Sequence, residues 1–454
     1  MDHSEVINIL KQAFPVHQTS LRGSAEFDDL NGSYLSTIES EITPAAIFRP
    51  KVKEDISTFF KLIKPYTQHG DLKLAIRGGG QQPTHGCANI ENGITLDLSL
   101  LLGIDIKEQS VSIAAGERWG AVYDKLLPLG LGVSGSRSGK GGIGGLCLSA
   151  SGDIVNANAQ ENSDLFIALR GGGNNFGVVT RYDLRTFKQG PFWGGSVYYF
   201  TPSFPSQIEA LVSELNRPDA TVETHLMISI GYAAQFGQTM CQNQLYYTQE
   251  VEKPAILEPF TAIQPQVDQL YSMRMLNLKD AATEQAGVAM DQQRTAYMNT
   301  VVRADAVTLK AAADIYTTAL EPIKSVNGLV CSLTLQPYTV SLLKKSAESG
   351  GNSLGLDPSK GPLVSVLLLS YWKEKSDDEK VLAFMKDTVQ KIKVDAKAKN
   401  QSVDYEYMNY AASFQDPIGS YGAENKKKLQ DVSRKYDPEG FFQKAVPGGF
   451  KLFS

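Results

Sequence analysis

Half of the sixteen residues from Gly130 to Gly145 are glycine, and a second cluster, Arg77-Gly78-Gly79-Gly80, lies upstream. Glycine at this density costs too much backbone entropy to sit inside a helix or strand, so both segments must be loops. Loops that curl tightly enough to aim several N–H groups at one point can cradle a phosphate. A single such loop is equally a tight turn between strands. Two in one half of the chain, with Gly171-Gly172-Gly173-Asn174-Asn175 as a third, favour the binding role.

Gly139-Lys140-Gly141-Gly142-Ile143-Gly144 fits the G-x-G-x-x-G fingerprint of dinucleotide folds. The context that motif requires is missing, because residues 146–150 are too few for a helix before the next expected strand. It is not a Walker A loop either, since Lys140 is followed by Gly141 rather than Ser or Thr. Arg77-Gly78-Gly79-Gly80 falls between two strands, not at a helix start. Any phosphate is therefore expected on loop amides rather than on a helix dipole.

Around these loops the pattern is mixed α+β. Val6, Ile7, Leu10 and Phe14 mark a first helix over Ser4–Phe14. A short extended run, Ala46–Arg49, precedes a second helix marked by Val52, Ile56, Phe59, Phe60 and Ile63 and stopped by Gly70. Alternation predicts strands at Leu72–Ile76 and Ile94–Leu98 and a hairpin over Ile104–Ala115. A helix over Arg118–Leu127, a strand at Asp153–Ala157, a helix over Asp164–Arg170 and a strand over Val178–Phe187 follow. Pro191-Phe192-Trp193-Gly194-Gly195 breaks the pattern and marks a domain boundary. Beyond it, Leu329–Leu335 reads as a half-buried strand and Leu363–Trp372 as a buried central one. Ser376-Asp377-Asp378-Glu379 reads as a capping box, and Tyr405–Tyr410 as extended. Helix Glu424–Lys435 and the turn Asp437-Pro438-Glu439-Gly440 close the chain.

Length and composition narrow the function classes. The 454 residues exceed one hydrophobic core and imply two or three domains. A net charge of -5, with Lys426–Lys428 as the only tight basic run, argues against nucleic acid as a partner. The apolar run Leu363–Trp372 is too short to span a bilayer. The opening Met1-Asp2-His3-Ser4-Glu5 lacks a basic-then-apolar signal, and Cys87, Cys147, Cys241 and Cys331 lack C-x-x-C spacing. A cytoplasmic protein with reduced thiols is expected. The five histidines have no metal-ligand spacing, and His85 reads as an exposed loop residue.

Taken together, the segments resemble a known family. AIRGGGQQPTHGCANIENGITLDL, from Ala75 to Leu98, is similar to the first flavin-binding loop of the vanillyl-alcohol oxidase superfamily, in its berberine-bridge-enzyme-like branch common in fungal secondary metabolism. Gly135 to Leu146 resembles the second loop, and Ser151–Phe187, Tyr407–Gly422 and Tyr436–Phe442 resemble later motifs. The resemblance implies a two-subdomain PCMH-type FAD-binding domain over residues 1–190. It further implies a substrate domain with an antiparallel sheet backed by helices over 191–403, and a return to the flavin domain over 404–454. It implies a small-molecule substrate oxidised at a C–H beside oxygen or nitrogen, hydride transfer to FAD, and O2 as the usual acceptor. The residues it assigns to the cofactor are Arg77, Gly78, Gly79, Gly80, Gln81, Gln82, Gly139, Gly141, Gly142, Gly144, Gly145, Ile154, Val178 and Asn409.

Two departures from the family pattern matter. Gln81 stands where the family has its flavin-anchoring histidine, and an amide cannot form that bond, so FAD is expected to be noncovalent. The stretch that relatives carry after Gly-Gly-Leu, with a flavin-facing loop, an anchoring cysteine and a strand, is missing, because Leu146-Cys147-Leu148-Ser149-Ala150 runs almost directly into Ser151-Gly152-Asp153. Cys147 precedes the gap and is not equated with that cysteine. In an extended run, Tyr405, Tyr407 and Asn409 share one face, and Glu406, Met408 and Tyr410 the other. Tyr407 and Tyr410 are the candidate catalytic residues, as a base if a phenol pKa is lowered or as orienters of a substrate hydroxyl; aromatic packing across strands is the other reading. At the level of function, an FAD-dependent oxidoreductase stands against a non-redox descendant of the fold that binds or cyclises a small molecule.

Overall fold

A computed structural model describes residues 3–67, 70–143 and 153–453. Three sheets follow one another along the chain. The first holds β1 (Thr19–Leu21), β2 (Ala46–Phe48), β3 (Leu74–Arg77) and β4 (Ile94–Asp97) in the order β1-β2-β4-β3. The second holds β5 (Ile104–Ile106), β6 (Ser110–Ala114), β7 (Leu131–Val133) and β8 (Arg181–Lys188) in the order β5-β6-β8-β7. The third holds β9 (Phe192–Phe200), β10 (Thr224–Ala233), β11 (Gln238–Tyr247), β12 (Arg274–Leu276), β13 (Arg294–Arg303), β14 (Val330–Tyr338), β15 (Leu363–Trp372) and β16 (Ser402–Val403). Its order is β12-β9-β11-β10-β14-β15-β13-β16, with every pair antiparallel.

In the first sheet β3 and β4 are neighbours and parallel. Parallel neighbours cannot be joined by a tight turn, so residues 78–93 must travel back along the sheet. They do so without a helix, and side chains hold the backbone instead. The Glu39 carboxylate, from the short helix Thr37–Ser40, accepts the N–H groups of Gly86 at 2.6 Å and Ala88 at 2.7 Å. Asn89 donates to the carbonyls of Glu39 and Ile42, and the Tyr34 hydroxyl donates to the Ala88 carbonyl at 2.9 Å. Phe441, Phe442, Ala445 and Val446 return to the core of this sheet beside Phe60 and Leu74.

The eight-stranded sheet has two unlike faces, as strand alternation requires. Leu226, Ile228 and Ile230 of β10, Cys331, Leu333 and Leu335 of β14, and Val364, Val366 and Leu368 of β15 face helices Phe204–Asn216, Ala306–Leu320 and Asp378–Ala398 in one apolar core. The residues between them, among them Met227, Ser229, Thr334, Gln336 and Tyr297, form an opposite face rich in polar and aromatic groups. Leu363–Trp372 is the central strand its composition predicts. Its buried neighbours on both sides supply the partners that a continuous apolar run needs.

Five local expectations are corrected. Asp153–Ala157 is not a strand: it joins no sheet among the described residues, and residues 153–156 are exposed. The strand expected from Val178 starts only at Arg181, and Gly130–Gly145 is interrupted by β7. The capping box does not form. Asp377 is the N-cap without a side-chain bond, and Asp378 instead accepts from Arg294 and from Trp372 Nε1. Tyr405–Tyr410 is not extended, because Met408–Tyr410 is a 3-10 turn. No helix of the described residues is long and apolar enough to cross a membrane.

Arg294, 4% exposed, binds both Asp378 and Glu41, so it ties β13 to a backing helix and to the N-terminal segment. Arg294→Met leaves both carboxylates without their shared cation. The expected loss is about 3 kcal/mol of stability, read from the midpoint of urea unfolding; an unchanged midpoint would show the cluster to be dispensable.

Candidate functional site

The two glycine-rich loops meet. A Cβ built on Gly79 would stand 2.7 Å from the Gly142 Cα, and one on Gly142 would stand 2.6 Å from the Gly79 Cα. Neither position has room for a side chain. Arg118 rivets the contact: its Nη2 donates to the Gly79 carbonyl at 3.1 Å and its Nη1 to the Lys140 carbonyl at 2.5 Å. The second loop also closes the first turn of helix Trp119–Leu126. The N–H groups of Trp119 and Gly120 donate to the carbonyls of Gly141 and Gly139.

Gly139 N–H donates to the Ala282 carbonyl and Gly141 N–H to the Ser138 carbonyl, so those two amides of the second loop are spent inside the protein, while its Ser136, Arg137 and Gly142 N–H groups have no acceptor among the described residues. In the first loop the N–H groups of Gly79, Gly80, Gln81 and Gln82 are consecutive and likewise have no acceptor among the described residues. Gly80 sits at φ +64°, a left-handed turn that glycine adopts freely. Four consecutive open amides beside the Arg118 guanidinium fit a phosphate. Gly78 lies directly before them. The Arg77 guanidinium does not join them: it is buried, bonded to the Leu30 carbonyl and Ser33 Oγ, paired with Asp97 at 3.4 Å and stacked on Tyr34.

The remaining assignments scatter. Gly144, Gly145 and Cys147, with the junction after Leu146, lie outside the described residues. The Val178 side chain is buried in the core of the first sheet. Ile154 is 40% exposed. His85 is exposed, and the Gln82 amide donates to Thr84 Oγ1. The 3-10 turn brings Tyr407 and Tyr410 together, with ring centroids 4.9 Å apart and edge to face, instead of on opposite faces. Asn409 donates to the Tyr407 hydroxyl at 2.9 Å, and the Tyr407 backbone is held on both sides by the Asn299 amide. Burial, then the nearby Tyr410, push the Tyr407 phenol above its ordinary pKa, against weaker pulls from Asn409 and Arg137. Tyr407 therefore stays neutral and suits hydrogen bonding rather than proton abstraction.

Arg137 completes the site and is absent from the residues assigned above. It leaves the second loop between Gly135 and Gly139 and reaches the polar face of the large sheet. There its Nη2 donates to the Tyr410 hydroxyl at 2.9 Å and to Gln336 Oε1 at 3.2 Å, and its Nη1 points at Met227 Sδ. Beside Met227 on β10 lies His225, whose ring contacts Tyr246. The sequence signal was a cation, flanked by Ser136 and Ser138, inside a glycine-rich loop. One residue thus joins the loop pair, the sheet and the C-terminal segment.

Gly142→Ala is expected to push the loops apart and cost about 1–3 kcal/mol, measured by thermal unfolding; an unchanged melting temperature would mean that the contact relaxes freely. Burial, then the Arg137 charge, depress His225 to about 4. Below its ordinary value the unfolded chain takes up a proton that the folded one refuses, so stability falls as pH drops from about 6.5 toward 4. His225→Gln should flatten this part of the stability profile by roughly 3 kcal/mol at most, and coincident wild-type and variant profiles would refute the assignment.

The comparisons agree with this geometry. Residues 44–176 match a family model described as an FAD binding domain. The chain is 32% identical to the FAD-dependent monooxygenase FUP4 of Fusarium proliferatum, over 92% of this chain and 87% of that protein. It is 31% identical to the FAD-dependent monooxygenase tpcD of Cochliobolus heterostrophus, over 93% and 88%. Among solved structures, xylooligosaccharide oxidase from Myceliophthora thermophila aligns with TM-score 0.77 at 18% identity, over 99% of both chains. A berberine bridge enzyme variant in complex with (S)-reticuline aligns at 0.74 and 14%, over 98% and 99%. These likenesses establish the fold, and the sequence relatives establish the membership: the chain belongs to the fungal FAD-dependent monooxygenase family, FAD-linked oxidoreductases on the berberine-bridge-enzyme fold.

Proposed function

We propose that this oxidoreductase removes hydrogen from a C–H bond next to oxygen or nitrogen in a small secondary metabolite, using noncovalently bound FAD and O2 as the final acceptor. The observation that carries the reading is the meeting of the second glycine-rich loop with the polar sheet face at Arg137, Gln336 and Tyr410. A substrate on that face would lie next to the loops that fit the cofactor. When bound, FAD supplies the two-electron acceptor.

The chain's own residues supply the rest. The open amides from Gly79 to Gln82, with Arg118, would hold the pyrophosphate. Tyr410, fixed by Arg137, and neutral Tyr407, fixed by Asn409, orient a substrate hydroxyl or amine. The Gln81 amide at the position of the family's histidine supports noncovalent attachment. The relatives named monooxygenases and the neighbour named an oxidase support oxygen as a co-substrate. Free Cys87, Cys241 and Cys331 support a reducing, cytoplasmic setting, and the net charge of -5 supports a small-molecule partner over nucleic acid.

Purified protein is expected to carry the visible absorption bands of oxidised flavin, and acid precipitation should release that flavin into the supernatant. An intact-mass increment on the denatured chain would overturn noncovalent attachment. A protein that stays colourless through an FAD titration would overturn the redox reading. It would favour the non-redox alternative.

A further inference from the structure

Arg137, half-buried, has no carboxylate partner among the described residues. The deeply buried arginines do: Arg77 pairs with Asp97, and Arg294 with Asp378 and Glu41. Arg137 has only neutral acceptors, and one of them is a thioether sulfur, among the weakest acceptors a protein offers. A half-buried guanidinium held by neutral acceptors keeps its charge available to an anion, to which it can offer two parallel N–H donors.

Neighbouring groups on the same sheet face are also unsatisfied. Gln244, directly opposite Met227 across β10 and β11, is buried with no partner for its Oε1, and His225 Nε2 is shielded from water and unpartnered. Aromatic rings flank the cluster: Tyr297 meets Tyr410 edge to face at 5.8 Å, and Tyr407 meets Tyr410 at 4.9 Å. The nearby cation Lys140 is already paired with Asp291. One free positive charge, a planar fork and aromatic walls match a monoanionic, planar, two-oxygen group better than a dianion such as phosphate.

We infer that the substrate of this chain is an aromatic carboxylic acid whose carboxylate pairs with Arg137, displacing Met227 Sδ from the guanidinium. This rests on the reading above that the polar sheet face receives the substrate. Arg137 is then a specificity-determining residue. It holds the carboxylate end, while the opposite end of the molecule carries the C–H bond that is oxidised.

The test uses benzoate and benzamide, which match in size and differ in charge, titrated calorimetrically into the flavin-loaded protein. Benzoate should bind at least about tenfold more tightly, the range expected for hydrogen bonds to a charged group. Arg137→Gln should abolish that preference, and Arg137→Lys should restore part of it. Equal affinity of the wild type for the two probes overturns the inference without need of any variant, and so does a preference that survives in Arg137→Gln. The flavin absorption bands are followed in the same titration. Selective, Arg137-dependent binding that leaves the bands unmoved supports the carboxylate site and overturns instead its placement beside the flavin.

Discussion

Backbone approaches backbone at Gly79 and Gly142 more closely than any side chain would allow, and the arrangement of the site depends on that contact. With the loops pressed together, Arg118 reaches a carbonyl on each of them. The second loop's Gly139 and Gly141 carbonyls accept the N–H groups of Gly120 and Trp119, and its Gly139 and Gly141 amides donate to Ala282 and Ser138, while the first loop keeps a run of four amides without acceptors among the described residues.

The same contact fixes where Arg137 emerges. From Gly139 the chain is held to Ala282, and from Ser136 its carbonyl accepts the Tyr123 hydroxyl, so the residues between them are carried toward the large sheet. That sheet offers an apolar face to its backing helices and a polar, aromatic face to the loops. A strict period of two along each long strand produces both faces at once. The antiparallel register sets Met227 opposite Gln244, and the pairing of Ile228 with Leu335 brings Gln336 alongside Met227. The polar cluster under Arg137 is thus a property of register across three strands, not of any one segment.

The tyrosines make the complementary point. As an extended run they would have pointed to opposite faces. The Asn299 amide, holding the Tyr407 backbone, and the turn at Met408–Tyr410 gather them on one side instead. Burial then keeps Tyr407 neutral, which moves it from candidate base to hydrogen-bonding group.

Much of the architecture was legible in the chain itself. Glycine density marked both loops, because no regular element tolerates it. Alternation marked β14, the continuous apolar run marked β15 as central, and the motifs carried the family. The substitution at Gln81 needed only the residue type, since an amide lacks the chemistry of an imidazole. What tertiary structure alone decided was pairing. Asp153–Ala157 has the composition of a strand but joins none of the three sheets among the described residues. Asp378 looks like part of a cap but is taken by Trp372 and by Arg294 of a distant strand. Arg77 looks available to a ligand but is consumed by Leu30, Ser33 and Asp97. Arg137 becomes the centre of the site only because distant strands bring uncharged acceptors to it and, among the described residues, no carboxylate. Residue type sets what a side chain can bind, while the fold decides which partners come within reach.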